Sequence, residues 1–135
     1  MSYENRGSYN HPRIAKQLLC FDGLCWDKNA TPMDIDCLIE WRNKKRVLIE
    51  IKKNNVKVLD GERFALERMI NDFGNVGKES IAIVADHKVF DAREDVQVKD
   101  CIVREIYHSK ERRWRPPKKL MTVEMLVNTF LLGQN

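Results

Sequence analysis

A chain of 135 residues, 43% hydrophobic and 33% charged, predicts a single domain over residues 1–135 whose core needs no disulfide staples. No apolar run approaches the roughly 18 residues of a membrane span, and the N-terminal stretch lacks an apolar signal region, so the expectation is a cytoplasmic protein with no membrane partner. The net charge of +4 permits nucleic-acid binding without establishing it. Its distribution is more telling, because Lys44-Lys45-Arg46, Lys52-Lys53 and the run from Lys110 to Lys119 concentrate cations able to neutralise phosphates. The cysteines Cys20, Cys25, Cys37 and Cys101 form no Cys-x-x-Cys pair, which points to reduced thiols rather than a zinc or iron–sulfur site.

Residues 1–12 are polar and read as a flexible arm. Pro12 suits a first helical turn, with Asn10 as a cap, and Ile14, Leu18 and Leu19, with Phe21 as an optional fourth member, give the apolar stripe of a helix. Asp22-Gly23 marks a turn, Leu24-Cys25-Trp26 is a short apolar run, and residues 27–32 form a loop. Next come two apolar strand-like runs, Cys37 to Trp41 and Val47 to Lys52, joined by the basic linker of residues 42–46. This is the pattern of a β-hairpin.

In the second run the alternation of a strand places Glu50 and Lys52 on one face, with Val47, Ile49 and Ile51 on the other. Charges in so apolar a strand require pairing or a metal. Antiparallel pairing brings Asp36 near Glu50, and two converging carboxylates suit Mg²⁺ or Mn²⁺, which complete their shell with waters and phosphate oxygens. A lysine alongside can bind a phosphate or position a water.

Asp36, a gap, and then Glu50-Ile51-Lys52 resembles the core motif of the PD-(D/E)xK nuclease superfamily, in which an Asp begins one strand and an acid-x-Lys closes the next. The phrase Asp34-Ile35-Asp36-Cys37-Leu38-Ile39-Glu40-Trp41, followed by the basic hairpin, looks like the small nucleases of phages and mobile elements. The resemblance implies a restriction-endonuclease-like α/β core with a mixed central sheet flanked by helices. It further implies metal held by Asp36, Glu50 and the Ile51 carbonyl, with Lys52 acting on the attacking water. Asp34 shares parity with Asp36 and stands as an alternative ligand or as an exposed loop acid. Family members often carry an acid on the first helix; here that helix has none, and Gln17 is the nearest polar substitute.

A further short strand in the segment from Lys53 to Leu59 is one reading of the stretch before Asp60-Gly61. A helix follows from Glu62 to Phe73, with Asp60 as its expected N-cap. Glu62 stands where related nucleases often place Gln. It is read either as a partner of Lys52 or of a metal-bound water, or as an ordinary acid in the first turn. The nearly continuous apolar run from Ser80 to Ala85 predicts a strand buried on both faces, reached by a helical crossover from a parallel neighbour. Asp86 and His87 close it, and a lone histidine there is more often structural than catalytic.

Cys101 to Tyr107 reads as another strand. The basic stretch from His108 to Lys119 combines Arg112, Arg113, Trp114 and Arg115 with a Pro pair that precludes regular structure. It suits phosphate contacts and base stacking, unless Trp114 tucks into the core. Lys44, Lys45, Arg46 and Lys53 are the other nucleic-acid candidates. A last helix from Thr122, its cap, to a stop at Gly133 packs on the sheet or partly on a second copy in a homodimer. The expected function is a metal-dependent nuclease acting on DNA, with RNA also a possible substrate. The alternatives are a silent nucleic-acid-binding module on the same fold and a structural ion-pair network of Asp36, Glu50 and Lys52.

Overall fold

A computed structural model describes residues 19–26 and 32–133. The chain divides into two units, Met1–Pro32 and Met33–Asn135. In the first, the expected turn is present: Leu24 N–H donates to the Phe21 carbonyl at 3.0 Å, with Gly23 at φ +86°. Leu24 to Trp26 is exposed and irregular. The expected arm and the body of the helix from Pro12, with Asn10 and Gln17, lie outside the described residues.

The second unit is mixed α/β. Its five strands lie in the order β1 (Cys37–Trp41), β2 (Lys45–Lys53), β3 (Glu79–His87), β4 (Ile102–His108) and β5 (Trp114–Arg115). β2 and β3 are parallel, and every other neighbouring pair is antiparallel. The connection between β2 and β3 is helix α1 (Asp60–Asn75), the crossover predicted by the doubly buried run in β3. Helix α2 (Val123–Leu132) closes the fold as expected. Thr122 Oγ1 accepts from Met125 N–H at 3.2 Å, and Gly133 sits at φ +68°.

The alternation of the strands divides the core. Val47, Ile49, Ile81, Ile83, Ala85 and Val103 face α2, whose Leu126, Val127, Phe130 and Leu131 pack there. Leu48, Ala82 and Tyr107 face α1 through Leu66 and Ile70. Glu50 and Lys52 share the parity of Leu48 and so lie on the α1 face.

Several boundaries differ from the sequence reading, each for a local reason. β2 begins at Lys45 rather than Val47, because Arg42 and Asn43 both adopt left-handed φ (+50° and +58°) and close the turn in three residues. Residues 54–59 form no strand. Leu59 rather than Asp60 occupies the cap position of α1, and Glu62 Oε1 accepts its N–H at 3.2 Å in place of a capping side chain. The Pro pair did not prevent β5, because the two-residue strand ends just before it. A register shift between Val84 and Ala85 leaves Arg104 as the extra residue of β4. Among the described residues no helix is long and apolar enough to cross a membrane.

Gly74 is where backbone proximity is tightest: a Cβ there would lie 3.0 Å from the Ser109 Cβ. Gly74→Val should therefore destabilise the fold by about 1–3 kcal/mol in urea denaturation despite the better helix propensity of valine. A variant as stable as the parent would mean that the segment after β4 yields freely.

Candidate active site

The hairpin register assembles the site. Cys37 pairs with Ile49, so the next step along the ladder sets Asp36 opposite Glu50. Asp36 Oδ2 accepts the Ile51 N–H at 2.7 Å, which fixes the carboxylate against the end of β2. N–H and C=O of one strand residue leave on the same edge, so the Ile51 carbonyl is directed toward Asp36 as well.

Glu50 is only 7% exposed. One oxygen lies 3.6 Å from Lys52 Nζ, and the other, Oε2, is buried without a hydrogen-bond partner. Burial, and then the carboxylates of Asp36 and Glu62, raise the Glu50 pKa from 4.5 to about 7, against the pull of Lys52. Helix α1 supplies the fourth member. Glu62 receives Lys52 Nζ on both carboxylate oxygens at 3.0 Å while its Oε1 also holds the Leu59 N–H. Burial opposes ionisation of Glu62, but Lys52 and the Leu59 N–H outweigh it and keep this carboxyl below its ordinary range. Burial would likewise lower the Lys52 pKa, yet Glu62 and Glu50 together raise it. Lys52 is thus a firmly protonated ammonium clamped between two acids. Of the two sequence readings of Glu62, the structure shows the contact with Lys52.

The residues fit a hard divalent cation in a limited way. Glu50 Oε2 is an orphaned buried oxygen, and a carboxylate lies opposite it. Two carboxylates and a carbonyl suit Mg²⁺, which keeps several waters. Among the described residues no group of three or more His, Cys, Asp or Glu side chains is placed to hold a metal by itself. Asp34 is exposed.

The basic candidates separate into two kinds. Lys44 is exposed, Lys53 lies 5.3 Å from the Phe90 ring, and Arg113 is largely exposed with Glu111 3.9 Å away. The others have structural employment. Lys45 donates to the Phe130 carbonyl at 2.6 Å and pairs with Glu79. Arg46 pairs with Glu40 and Asn43, Arg112 bonds Asn75 and the Ser109 carbonyl, and Arg115 pairs with Glu111. Trp114 corrects the stacking expectation. Its ring packs 5.3 Å from Tyr107, and its N–H donates to Glu67 at 2.7 Å, so it serves the α1 core.

Two ion pairs on the same face were not foreseen: Asp86 with Arg104, and Arg63 with Glu105. Parity along β4 would have put Arg104 on the far face; the bulge turns it, and a bulge leaves no mark in the sequence pattern. His87 Nδ1 accepts the Val89 N–H, a structural role. A cleft of about 610 Å³ opens beyond the end of β3, between Asn54, Asp86, His87, Gln97 and Leu120; Asp36, Glu50, Lys52 and Glu62 do not line it.

The folded protein keeps a proton on Glu50 up to about pH 7, whereas an ordinary glutamate releases it near 4.5. Its contribution to stability is therefore complete below pH 4.5 and is lost as pH rises to 7. In metal-free urea titrations the parent should lose up to about 3 kcal/mol relative to Glu50→Gln across that window. A difference between the two proteins that stays constant with pH would show that Glu50 ionises normally.

No protein-family model matches the chain, and neither a curated protein nor a solved structure resembles it significantly, so the site is read from its own geometry.

Proposed function

We propose that the protein is a Mg²⁺- or Mn²⁺-dependent nuclease that hydrolyses phosphodiester bonds, with DNA as the first candidate substrate and a restriction-endonuclease-like core as its fold. The observation that carries this reading is the buried, unpartnered Glu50 oxygen beside Asp36 and a clamped ammonium. Ionising a carboxyl in such a place is costly unless a counter-charge arrives, and unsatisfied buried polar atoms of this kind concentrate at functional sites.

Asp36, Glu50 and the Ile51 carbonyl would hold the ion. Bound there, it would acidify a coordinated water and offset charge developing on the phosphate. The remaining work belongs to the chain. Asp36 is fixed by the Ile51 N–H. Lys52, kept protonated by Glu62 and Glu50, offers a positive charge to a phosphoryl oxygen or orients the water, and its raised pKa argues against a role as general base. The N-terminus of α1, with Glu62 in its first turn, adds the positive end of the helix dipole to the anion-binding side. The motif spacing, similar to that of the PD-(D/E)xK nucleases, supports the same reading.

Among the described residues no three carboxylates are placed to hold a metal together, which favours one other reading, a nucleic-acid-binding module without catalysis. The two part in a single experiment: plasmid, single-stranded DNA, branched DNA and RNA are incubated with the protein, with and without Mg²⁺ or Mn²⁺. Cleavage should require the ion and fall at least about 10²-fold in Asp36→Asn, Glu50→Gln and Lys52→Met. Binding without cleavage under either ion would establish the silent module, and full activity in those variants would remove the assignment. Near pH 8, Mg²⁺ should also raise the Tm of the parent but not that of Glu50→Gln, as selective binding to the native state requires.

A further inference from the structure

The end of the sheet away from the carboxylates has the opposite chemistry. From Glu50 back to Lys45 is five residues of strand, about 17 Å. At that end the β1–β2 turn meets the turn before β3 and the segment after β4. Lys78 Nζ donates to the Asn43 carbonyl at 2.5 Å, and Lys110 pairs with Glu79 at 2.7 Å.

Arg42 and Lys44 are exposed and form no ion pair among the described residues. Their turn is nonetheless fixed: Asn43 N–H donates to Glu40 at 2.6 Å, Lys44 N–H donates to the Trp41 carbonyl at 2.8 Å, and the Arg42 guanidinium lies 4.5 Å from the centre of the Trp41 ring. Arg42 also occupies a left-handed backbone, φ +50°, where glycine is at ease and arginine is strained. An unpaired cation held in a strained position on a rigid turn is the kind of local conflict that marks a functional surface.

We infer that Arg42 and Lys44, with Lys78 beside them, form a second phosphate-binding surface that holds a nucleic-acid backbone about 20 Å from Glu50, the length of roughly six base-pair steps. This rests on the nuclease reading for the identity of the partner, and it assigns the turn to binding rather than to chemistry. The cation choice is explained by phosphate neutralisation, and the fixed turn reduces the ordering cost of each contact.

The test is a comparison of the parent with Arg42→Gly/Lys44→Ala on a labelled DNA duplex of about 20 bp, titrated in metal-free buffer over a series of salt concentrations. Glycine relieves the strained position, so the variant should melt at the same temperature as the parent or higher. It should nevertheless bind about tenfold more weakly, with a slope of log affinity against log salt shallower by about two. Arg93→Ala/Lys99→Ala removes equal charge from the connection between β3 and β4 and should leave both quantities unchanged. Unaltered binding in the turn variant, equal losses in the control pair, or no binding by the parent would each overturn the inference. Cleavage is measured separately in Mg²⁺. Turn-dependent binding by a parent that never cuts supports this surface while removing the nuclease reading; cutting with turn-independent binding does the reverse.

Discussion

Glu50 is a carboxylate in a central strand, on a face otherwise packed by Leu48, Ala82 and Leu66. Its solvation is gone, and Asp36 and Glu62 press on it with like charge. The neighbouring structure is arranged to hold that conflict in place. Lys52 supplies the nearest positive charge, Glu62 fixes Lys52, and the Leu59 N–H fixes Glu62. Each member of the chain is oriented by the next, so the ammonium cannot swing away without leaving two acids unbalanced. A wholly apolar strand would pack more favourably here, since buried ion pairs seldom stabilise a fold more than hydrophobic residues of the same size. The network is better understood as a device that keeps charges in position than as a source of stability.

The same face carries more paired charge farther across the sheet. Asp86 with Arg104 and Arg63 with Glu105 extend the polar belt from β2 to β4, between the sheet and α1. On the α2 face the buried members are aliphatic side chains and one cysteine, and paired charge among the described residues is confined to Lys45, Glu79 and Lys110 at the end of the sheet away from Glu50.

The hairpin and its faces could be read from the sequence because strand alternation is a local property. Val47, Ile49 and Ile51 declare one side, Glu50 and Lys52 the other, and the pairing of Asp36 with Glu50 follows from a short turn. Helix α1, the parallel crossover and the caps of α2 were legible for similar reasons. What escaped was set by contacts between distant segments. Trp114 resembles an exposed stacking residue until Tyr107 and Glu67 are placed beside it. Lys45 and Arg112 count as free cations in a sequence, yet their partners are Phe130, Glu79 and Asn75. Arg104 reaches Asp86 only through a bulge. Basic composition thus overstates the cations available to a ligand: Arg46 and Arg115 are taken by near neighbours in sequence, Lys45 and Arg112 by partners far along the chain.

Helix α1 has one consequence beyond packing. Its sixteen residues span about 24 Å. Its first turn carries Glu62 into the carboxylate cluster, and its last turn carries Gly74 and Asn75 against Ser109 and Arg112 at the basic end. One stiff rod is thereby seated at both ends of the sheet, with Ile70 and Leu66 bedded between. Its length acts as a gauge block, setting the separation between acidic and basic ends independently of the loops that decorate them. The two ends are therefore mechanically linked: a tilt forced at the glycine–serine seat would be delivered, at the far end of the rod, to the side chain that steadies Lys52.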